Sequence, residues 1–587
     1  PVMEGGNPVV IPNQEGSRTT PSVVAVGENG ETLVGAVAKR QAITNARNTV
    51  FAVKRLMGRK YDSPEVQRVL GSYPYRVAKA ANGDAAVDVG GRVISPPEVS
   101  ATILSRMREY AEDYLGEKVT DAVVTVPAYF DDTQRQATRD AGRIAGLNVL
   151  RIINEPTAAA LAFGLTRRAN CRVAVYDLGG GTFDISVMEL GEGVFQVKTT
   201  HGDTFLGGED VDTRIVNMLC QEFKRSNGVE LKTDLVALQR MRDASEKAKI
   251  DLSSVREVDI NLPFIHANDS GPLHLQYTLT RSQLEGMIED LIDRTIDHCK
   301  MALADAGIGP EDLDDVLLVG GMTKMPLVQQ KVGAFFTQQA GRGVNPDEAV
   351  AVGAAIQAGI LQGDVGDVVL LDVVPLSLGI ETQGGMFTKL IDRNSAIPCS
   401  LSEVFTTAED YQPLVNIHVL QGERPMARDN KSLARFELIG IPPARRGIPK
   451  IEVTFEVDVN GILSVSARDL GTGNVQTVRV RPTSGLNEKD VERILKEAEE
   501  ATRDDDSRRE IANLKNRADG LIYTTERSLE EFLNYLTDEE IARIHMDIDA
   551  CRRARAANDS TAILNAIKAL EKSSYRIAEL MYRDASG

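Results

Sequence analysis

The strongest signature of chemistry in the sequence is the glycine-rich segment Val175-Tyr-Asp-Leu-Gly-Gly-Gly-Thr-Phe-Asp184. An apolar, strand-like run ends at Asp177, and the three glycines that follow allow the backbone to point N–H groups at phosphate oxygens. Thr182 adds a hydroxyl group, and the carboxylates of Asp177 and Asp184 suit the water shell of Mg²⁺. A glycine-rich hairpin turn is the alternative, but the acidic residues on both sides favour a phosphate-binding loop.

A second glycine turn, Val319-Gly-Gly-Met-Thr-Lys-Met-Pro326, also follows an apolar run. Alone, such a turn indicates only close packing of a helix on a strand. Its layout resembles that of the first turn, and the two turns lie in separate α/β halves. Together they suggest a nucleotide held in a cleft between two lobes.

Two segments rich in small residues, Asn154–Leu161 and Ala349–Leu361, are predicted to form helices that could cross closely and act as a hinge between lobes. Asn345-Pro-Asp-Glu348 predicts a capped helix start, with Asn as the cap and Pro at the first helical position. Plain core packing explains the helices equally well. It explains less well Glu155, a carboxylate placed at a helix start.

The elements that would position these residues change character along the chain. Up to about residue 365, short strands at 121–126, 172–176 and 315–319 alternate with amphipathic helices, which predicts an α/β region. The pattern of the apolar run 366–372 is compatible with either a buried strand or a linker.

The next region, residues 373–482, shows a period of two. In Ile451–Val459 apolar and polar residues alternate strictly, and Asn460-Gly461 predicts a hairpin turn with positive φ at both positions. This region is expected to be all-β. Residues 486–587 are charged with apolar stripes at helical spacing, and Asn487 is a candidate helix cap. They predict a helical bundle.

Composition excludes several classes of function. The 587 residues include 85 acidic and 67 basic ones, so the formal charge of −18 argues against a general binder of nucleic acid or anionic membranes. Five dispersed cysteines without CxxC spacing offer no zinc site and suit a reducing compartment. No apolar run is long enough to span a bilayer, and no signal peptide is visible. We expect an intracellular protein.

Taken together with Val126-Pro-Ala-Tyr-Phe130 and Leu420-Gln-Gly-Glu-Arg424, these segments identify a family. The glycine turns and small-residue helices look like the phosphate loop, adenosine motif and connectors of the actin-like ATPase fold. From about Gly16 to past residue 490 the chain resembles the 70-kDa heat-shock chaperones, most closely the bacterial DnaK type. The resemblance implies a multidomain protein: an actin-like α/β ATPase domain (1–365), a linker (366–372), an all-β peptide-binding sandwich (373–482) and an α-helical lid (486–587).

The resemblance also implies roles for individual residues of the ATPase domain. Lys54 would position the attacking water, Glu155 and Asp177 would organise Mg²⁺ through its waters, and Thr182 and Asp184 would lie beside the γ-phosphate. Thr182 would also be the autophosphorylation site. Lys324 stands where relatives usually have an arginine stacked on adenine, so this contact is expected to be weaker. The nucleotide-binding set is Gly179, Gly180, Gly181, Glu246, Lys249, Ser253, Gly320, Gly321 and Lys324.

Two further sets follow from the resemblance. A relay from the nucleotide to the linker would use Pro127, Arg135, Leu370, Leu371 and Asp372, with the linker docked on the ATPase domain in the ATP state and exposed otherwise. A channel for an extended peptide would be lined by Ile380, Thr382, Phe405, Ala408, Val415, Ile417 and Ile451, with Val415 at its central pocket. The alternative is that these are core positions of the sandwich, and for Ile451 alone that is the better interpretation.

The implied function is that of an ATP-driven chaperone that binds apolar segments of unfolded chains and releases them on ATP binding. Its expected cofactors are ATP or ADP, Mg²⁺ and K⁺; its expected partners are unfolded polypeptides, a J-domain co-chaperone and a nucleotide exchange factor of the GrpE type. The expected location is the cytoplasm, with an organelle matrix left open.

The sequence departs from the family at one point, because the first phosphate loop, of the form Asp-Leu-Gly-Thr-Thr-Asn-Ser, is not among the 587 residues. For this sequence as it stands we therefore expect weak nucleotide binding, little hydrolysis and retained peptide binding. The alternative function is a peptide-binding holdase without productive ATPase activity. A second alternative, a sugar or glycerol kinase of the same ATPase fold, is disfavoured because such a kinase has no use for the β-rich and helical regions after residue 373.

Overall fold

The computed structural model describes most of the chain and divides it into two compact units, Pro1–Asn487 and Glu488–Gly587. The predicted ATPase region, linker and sandwich all lie within the first unit. The described residues are 1–27, 29–164, 170–191, 193–268, 271–337, 343–366, 368–479, 493, 511, 514–515, 517–526, 528–529, 535–556 and 559–584.

Strands and helices are mixed over the first part of the chain, as predicted. The strands at 121–126, 172–176 and 315–319 are confirmed as β9, part of β11 and β16. The strands are β1 Val2–Glu4, β2 Asn7–Val9, β3 Val24–Val26, β4 Thr32–Val34, β5 Thr49–Val50, β6 Arg76–Lys79, β7 Ala85–Val89, β8 Arg92–Ile94, β9 Asp121–Val126, β10 Asn148–Asn154, β11 Cys171–Leu178, β12 Phe183–Gly191, β13 Val194–Asp203, β14 Glu257–Asn268, β15 Gly271–Thr280 and β16 Asp315–Val319. The helices are α1 Ala36–Arg40, α2 Pro64–Val69, α3 Pro96–Leu115, α4 Asp132–Ile144, α5 Glu155–Gly164, α6 Gly208–Asn227, α7 Leu235–Asp251, α8 Arg281–Ala306, α9 Pro326–Phe336 and α10 Ala349–Gln362.

Strands dominate the next part of the chain and helices the second unit. The strands are β17 Val369–Val373, β18 Leu378–Thr382, β19 Met386–Ile391, β20 Ala396–Ile397, β21 Cys399–Phe405, β22 Leu414–Gln421, β23 Lys431–Ile439, β24 Ile451–Val457, β25 Leu463–Asp469 and β26 Val475–Arg479, and the two long helices of the second unit are α11 Asp538–Ala556 and α12 Ser560–Asp584.

A six-stranded sheet in the order β16-β11-β12-β13-β17-β20 forms the centre of the first unit. Successive residues of β11 face opposite sides of the sheet. Tyr176 and Leu178 pack in a core with α6, α7 and α8, whereas Val173 and Val175 pack in a second core with α5 and α10. Helices therefore cover both faces, and the turns at the strand ends are held on a rigid frame.

The apolar run 366–372, predicted to be either a buried strand or a linker, contributes to strand β17 in this structure. β17 lies parallel to β13, with Leu370 opposite Phe195 and Leu371 opposite Gln196. Asp372 is buried, and Thr157 of α5 donates a 3.0 Å hydrogen bond to its Oδ2. Asp367, which precedes the strand, lies outside the described residues. The run is thus a strand of the central sheet, between β13 and β20.

Residues 378–479 form two four-stranded sheets, β19-β18-β22-β23 and β21-β24-β25-β26, which enclose one apolar core. The predicted hairpin is present as β24 and β25, but its turn is longer than two residues. The strand ends at Val457, and Asp458 Oδ1 accepts hydrogen bonds from the N–H groups of Asn460 and Ile462. Of the Asn460-Gly461 pair, only Gly461 has a positive φ. The side chain of Asp458 therefore organises the turn.

Helices α5 and α10 cross closely, as their small residues predicted. A Cβ atom added to Gly353 would lie 1.7 Å from the carbonyl oxygen of Ala158, so only glycine fits there. The helix predicted from Ala349 is confirmed, but the predicted cap at Asn345 was wrong, because Asn345–Glu348 forms a turn and Glu348 occupies the N-cap position. Pro346 O accepts from Gly320 N at 3.0 Å, and Glu348 is paired with Arg18, which holds these residues outside the helix.

In the second unit, α11 and α12 pack together with residues of 514–529. Its core contains Ile544, Ile548, Ile563, Ile567 and Leu570. The predicted cap at Asn487 lies outside the described residues. Within the described part of the chain, we find no helix that combines the length and apolar character needed to cross a membrane.

Candidate active site

A cavity of about 600 Å³ opens between the ends of the central sheet and the surrounding helices. It extends past the polar residues into an apolar part that includes Val23, Ile103, Leu104 and Val124. The predicted residues that it brings together are Lys54, Glu155, Asp177, Gly179, Gly180, Gly181, Thr182 and Glu246.

The glycine-rich segment forms the hairpin turn between β11 and β12 and also lines the cavity. Asp177 lies opposite Asp184 in the ladder, and Gly179 N donates to Thr182 O at 3.2 Å. The hairpin and phosphate-loop interpretations are therefore compatible. Thr182 is buried, with 7 % exposure, against the cavity.

A third glycine turn, Gly207-Gly208, packs backbone to backbone on the first and was missed in the sequence. Gly208 N donates to Gly179 O at 3.0 Å, and Glu209 N donates to Gly180 O at 2.8 Å. A Cβ atom on Gly207 would lie 2.6 Å from Gly180 O. The available signal was the glycine pair itself, which is separated from the end of β13 by three residues.

Lys54 and Glu155 form an ion pair in the cavity, with Nζ 2.7 Å from Oε1. Lys54 follows a backbone turn in which Ala52 has φ 53°, and Glu155 begins α5 directly after β10. Burial by itself would lower the pKa of Lys54, but attraction to Glu155, and then to Asp177 and Asp184, raises that pKa. Lys54 therefore remains a cation, with 46 % of its side chain accessible to a ligand.

Asp177 and Asp184 are buried carboxylates beside this pair. Burial, followed by repulsion from Glu155, raises the pKa of Asp184 to about 7 and that of Asp177 well above its ordinary value. Tyr129 N donates a 2.9 Å hydrogen bond to Asp184 Oδ1 and fixes its orientation. Three acidic groups in one small volume repel one another, and a cation at this place would relieve the repulsion.

This donor set fits Mg²⁺ held through water. Among the described residues, no group of three or more Asp, Glu, His or Cys side chains has the arrangement that could hold a metal ion. Mg²⁺ keeps several waters and is bound through few carboxylates together with substrate phosphates. Glu155, Asp177 and Asp184 are the residues that would hold its water shell, where the ion would neutralise phosphate charge.

The other predicted nucleotide-binding residues are not among those that line the cavity. Lys249 Nζ is 2.7 Å from Asp212 Oδ2, and Ser253 Oγ is 3.4 Å from Lys249 O. Gly320 has φ +86°, and a Cβ atom there would lie 2.3 Å from Leu178 O, so the second glycine turn packs against the first. Gly321 is exposed, and Lys324 is ion-paired with Asp347.

Cationic residues missed by the sequence reasoning also line the cavity. Arg55 Nη2 is 2.5 Å from Asp210 Oδ2, and Arg242 is paired with Glu209. The guanidinium of Arg242 lies 4.6 Å from the centre of the Phe51 ring. These two ion pairs stabilise the cavity wall. In the sequence, the only signal for them was the position of Arg55 next to Lys54.

Arg135 connects the cavity wall to the β-sandwich. Its guanidinium donates to Phe130 O and Ala128 O, each at 3.1 Å, and to Asn154 Oδ1 at 2.7 Å. Pro127, whose carbonyl accepts from Phe130 N at 3.1 Å, belongs to the same loop. Arg135 Nη1 also lies 3.4 Å from the carbonyl oxygen of Asn460 in the β24–β25 turn.

Further polar contacts join the two regions. Asn460 Oδ1 accepts from Ile152 N at 2.9 Å, and Lys431 Nζ lies 2.5 Å from Asp131 Oδ2. On another side, Arg393 Nη2 is 2.8 Å from Asp305 Oδ1. The β-sandwich is therefore attached to the ATPase region by several hydrogen bonds and ion pairs.

A family model described as Hsp70 protein matches residues 1–583, nearly the whole chain. The chain belongs to the Hsp70 family. Hsp70 proteins are ATPases that act as chaperones, bind ATP or ADP with Mg²⁺, and bind unfolded polypeptides and co-chaperones. The glycine turn, lysine and acidic groups that line the cavity suit the binding of a phosphate group together with Mg²⁺.

The predicted peptide-binding residues of this Hsp70 chain do not share one environment. Ile380, Ile417 and Ile451 are buried in the core of the sandwich, which agrees with the alternative stated for Ile451. Phe405, opposite Ile451 in the ladder, and Val415 are partly buried against that core. Thr382 Oγ1 lies 2.9 Å from Thr388 Oγ1, and Ala408 is exposed. Their role in a channel stays a prediction.

Proposed function

We propose that this Hsp70 protein is a chaperone of the bacterial DnaK type that captures apolar segments of unfolded proteins. ATP binding would release the segment, and hydrolysis would restore tight binding. The observation that carries the proposal is the position of Arg135. One buried side chain contacts Asn154, immediately before Glu155 in the cavity, and the Asn460 turn of the β-sandwich.

The hydrolysis step is supported by the charge arrangement of the cavity. Phosphoryl transfer to water depends mainly on positioning and on neutralising the transferred charge. Lys54, held by Glu155, would orient the attacking water and stabilise charge on the γ-phosphate. The N–H groups of the glycine turn would contact phosphate oxygens, and Asp184, fixed by Tyr129 N, would orient water on the same side. Thr182 would accept the phosphoryl group in autophosphorylation.

Communication would pass through the elements that begin at the cavity. Movement of Glu155 with the nucleotide would displace Asn154, and with it the guanidinium of Arg135. The linker residue Asp372 contacts Thr157 of the same helix α5. A change in α5 would therefore reach both the sandwich and β17, which carries Leu370 and Leu371.

Peptide binding would use a groove in the β-sandwich with Val415 at its central pocket. Val415 lies on β22 and is partly buried, so its side chain could border a pocket without filling the core. Burial of one leucine-sized side chain would contribute about 1.5–3 kcal/mol. We propose a J-domain protein and a GrpE-type exchange factor as partners, K⁺ as a second ion, and the cytoplasm as the location.

The proposal is tested by ATPase turnover with and without an unfolded protein, in a form that carries the family's first phosphate loop. We expect the unfolded protein to raise turnover severalfold in the wild type. We expect the rise to disappear in Arg135→Ala while basal turnover persists. Equal stimulation in both proteins would contradict the proposed communication.

A further inference from the structure

Asp132 is a buried carboxyl group at the contact between the ATPase region and the β-sandwich. It is the first residue of α4 and has 3 % exposure. Its Oδ1 accepts a 2.8 Å hydrogen bond from the backbone N–H of Leu463 on β25. Its Oδ2 is buried and has no hydrogen-bond partner in the described part of the chain. One carboxyl oxygen of Asp132 thus takes part in the contact with the sandwich, and no hydrogen bond compensates the burial of the other.

The charged groups around Asp132 are few and already engaged. Immediately before the helix, the cap residue Asp131 accepts from Lys431 Nζ of β23 at 2.5 Å. Arg135 donates its closest hydrogen bonds to Ala128, Phe130 and Asn154. From β22, Gln421 is uncharged, and its Oε1 lies 3.4 Å from Asp132 N. Among the residues that the structure describes, no cation is therefore hydrogen-bonded to the carboxyl group of Asp132.

The space beside Asp132 is too small to hydrate a charge. The adjoining cavity has a volume of about 10 Å³, roughly that required for a single water molecule. Apart from Asp132, Arg135 and Gln421, its walls are apolar or glycine: Phe130, Val373, Val374, Pro375, Leu378, Val457, Gly461 and Leu463. An ionised carboxyl group is costly in such surroundings unless it is paired.

Burial accordingly raises the pKa of Asp132 to about 7. The Leu463 N–H lowers the pKa by less, repulsion from Asp131 raises it further, and Lys431 and Arg135 lower it. When the sandwich separates from α4, Asp132 meets water, and its carboxyl group returns toward the ordinary aspartate pKa of about 3.9. The attached form therefore holds a proton that the separated form releases near neutral pH.

We propose that attachment of the β-sandwich to the ATPase region is coupled to proton uptake by Asp132, so that mild acid favours the attached form. This inference rests on the proposed function, because it requires the sandwich to separate from the ATPase region during the cycle.

The sign and size of the effect follow from linkage. Above pH 7 both forms are ionised at Asp132, and the attached form bears the full cost of a buried charge. As the pH falls from 7 toward 4, attachment strengthens by up to about tenfold per unit. Between pH 8 and pH 6 the equilibrium constant for attachment should rise by about tenfold.

The test uses hydrogen exchange of the segment containing the Leu463 amide, which is protected by Asp132 in the attached form. Protection factors, corrected for the intrinsic effect of pH on exchange, are compared at pH 6 and pH 8 with and without ATP, in a form that carries the family's first phosphate loop. We expect about tenfold greater protection at pH 6 in the wild type. In Asp132→Asn, which is neutral and keeps the acceptor for Leu463 N–H, protection should be equal at the two pH values.

A second titratable contact supplies the control. His201 Nε2 is 2.9 Å from Asp305 Oδ2, and Asp305 also binds Arg393 of the sandwich region. His201→Gln should keep the pH dependence. Loss of the dependence in His201→Gln and its persistence in Asp132→Asn would overturn the proposal.

A direct titration keeps the proposal testable should Asp132→Asn fail to attach. Carbon NMR of labelled aspartate carboxyl groups in the wild type should show Asp132 titrating near pH 7 in the attached form; a midpoint near 4 would overturn it. If exchange of the Leu463 amide showed that the sandwich does not separate from the ATPase region under any nucleotide condition, the result would contradict the proposed function itself. Separation without pH dependence would remove only the role of the proton.

Discussion

The guanidinium of Arg135 lies 2.7 Å from Asn154 Oδ1, and Asn154 is the last residue of β10 before Glu155 begins α5. A buried cation of the sandwich contact is thereby joined to the strand end that presents an acidic group to the cavity. Burial lowers the pKa of Arg135, although four aspartates nearby counteract this. The side chain remains charged and has little freedom to move without its partners.

Arg135→Lys should separate basal ATP turnover from its stimulation by unfolded protein. A lysine cannot reproduce the planar set of bonds to Ala128, Phe130 and Asn154, so the coupling, typically about 5–150-fold in such systems, should be largely lost. We expect stimulation of turnover by unfolded protein to fall while basal turnover changes little. Arg139→Lys, on the same helix, is the matched control and should keep the stimulation. A normally stimulated Arg135→Lys protein would remove Arg135 from the relay.

Lys54→Ala should abolish hydrolysis while leaving ATP affinity nearly unchanged. The ammonium group is placed to act on charge that develops at the γ-phosphate, so its loss should lower turnover by about a hundredfold or more. Turnover and ATP binding are measured in a form that carries the first phosphate loop, with the exposed Lys79→Ala as control. A large loss of affinity with unchanged turnover would show that Lys54 only supports the wall of the cavity.

Replacement of Leu370 and Leu371 by aspartate should detach β17 from β13. Two charges would be placed in partly buried positions opposite Phe195 and Gln196, where apolar burial contributes about 25 cal/mol per Å². We expect hydrogen exchange of this strand to increase and stimulation by peptide to be lost. Val369→Asp on the same strand, where the side chain is 51 % exposed, should have a smaller effect. Unchanged exchange and stimulation in the double variant would contradict the linker role.

Val415→Phe should weaken binding of a leucine-rich peptide by about tenfold or more, because the larger ring would fill the proposed central pocket. Peptide affinity is measured together with thermal unfolding, which detects damage to the core. Ile439→Phe is the matched control, since Ile439 lies on the neighbouring strand with 64 % exposure. A folded Val415→Phe protein with normal affinity would assign Val415 to ordinary core.

The sequence predicted those parts of the fold that depend on local pattern. Alternation located β24 and β25, apolar runs located β9 and β16, and small residues predicted the close crossing of α5 and α10. The errors arose where tertiary contacts override local preference. Asn345 and Pro346 have the chemistry of a helix cap, but Pro346 O accepts from Gly320 N, Glu348 pairs with Arg18, and the helix begins at Ala349.

The candidate site was predicted best where several residue types fall in one segment, as in Asp177–Asp184. Pairs between distant segments, such as Arg55 with Asp210, are set by the packing of helices and have no local signal. The same limit explains the peptide residues. Alternation does not distinguish a side chain that lines a channel from one that fills a core, and Ile380, Ile417 and Ile451 are in the core here.

The central claim is that the nucleotide controls the grip of the β-sandwich on a peptide. The most direct measurement is the dissociation rate of a fluorescent leucine-rich peptide before and after addition of ATP with Mg²⁺, in a form that carries the first phosphate loop. We predict that ATP accelerates dissociation by at least about tenfold and that Arg135→Ala removes the acceleration. A dissociation rate that ATP leaves unchanged in the wild type, although ATP is bound, would contradict the account.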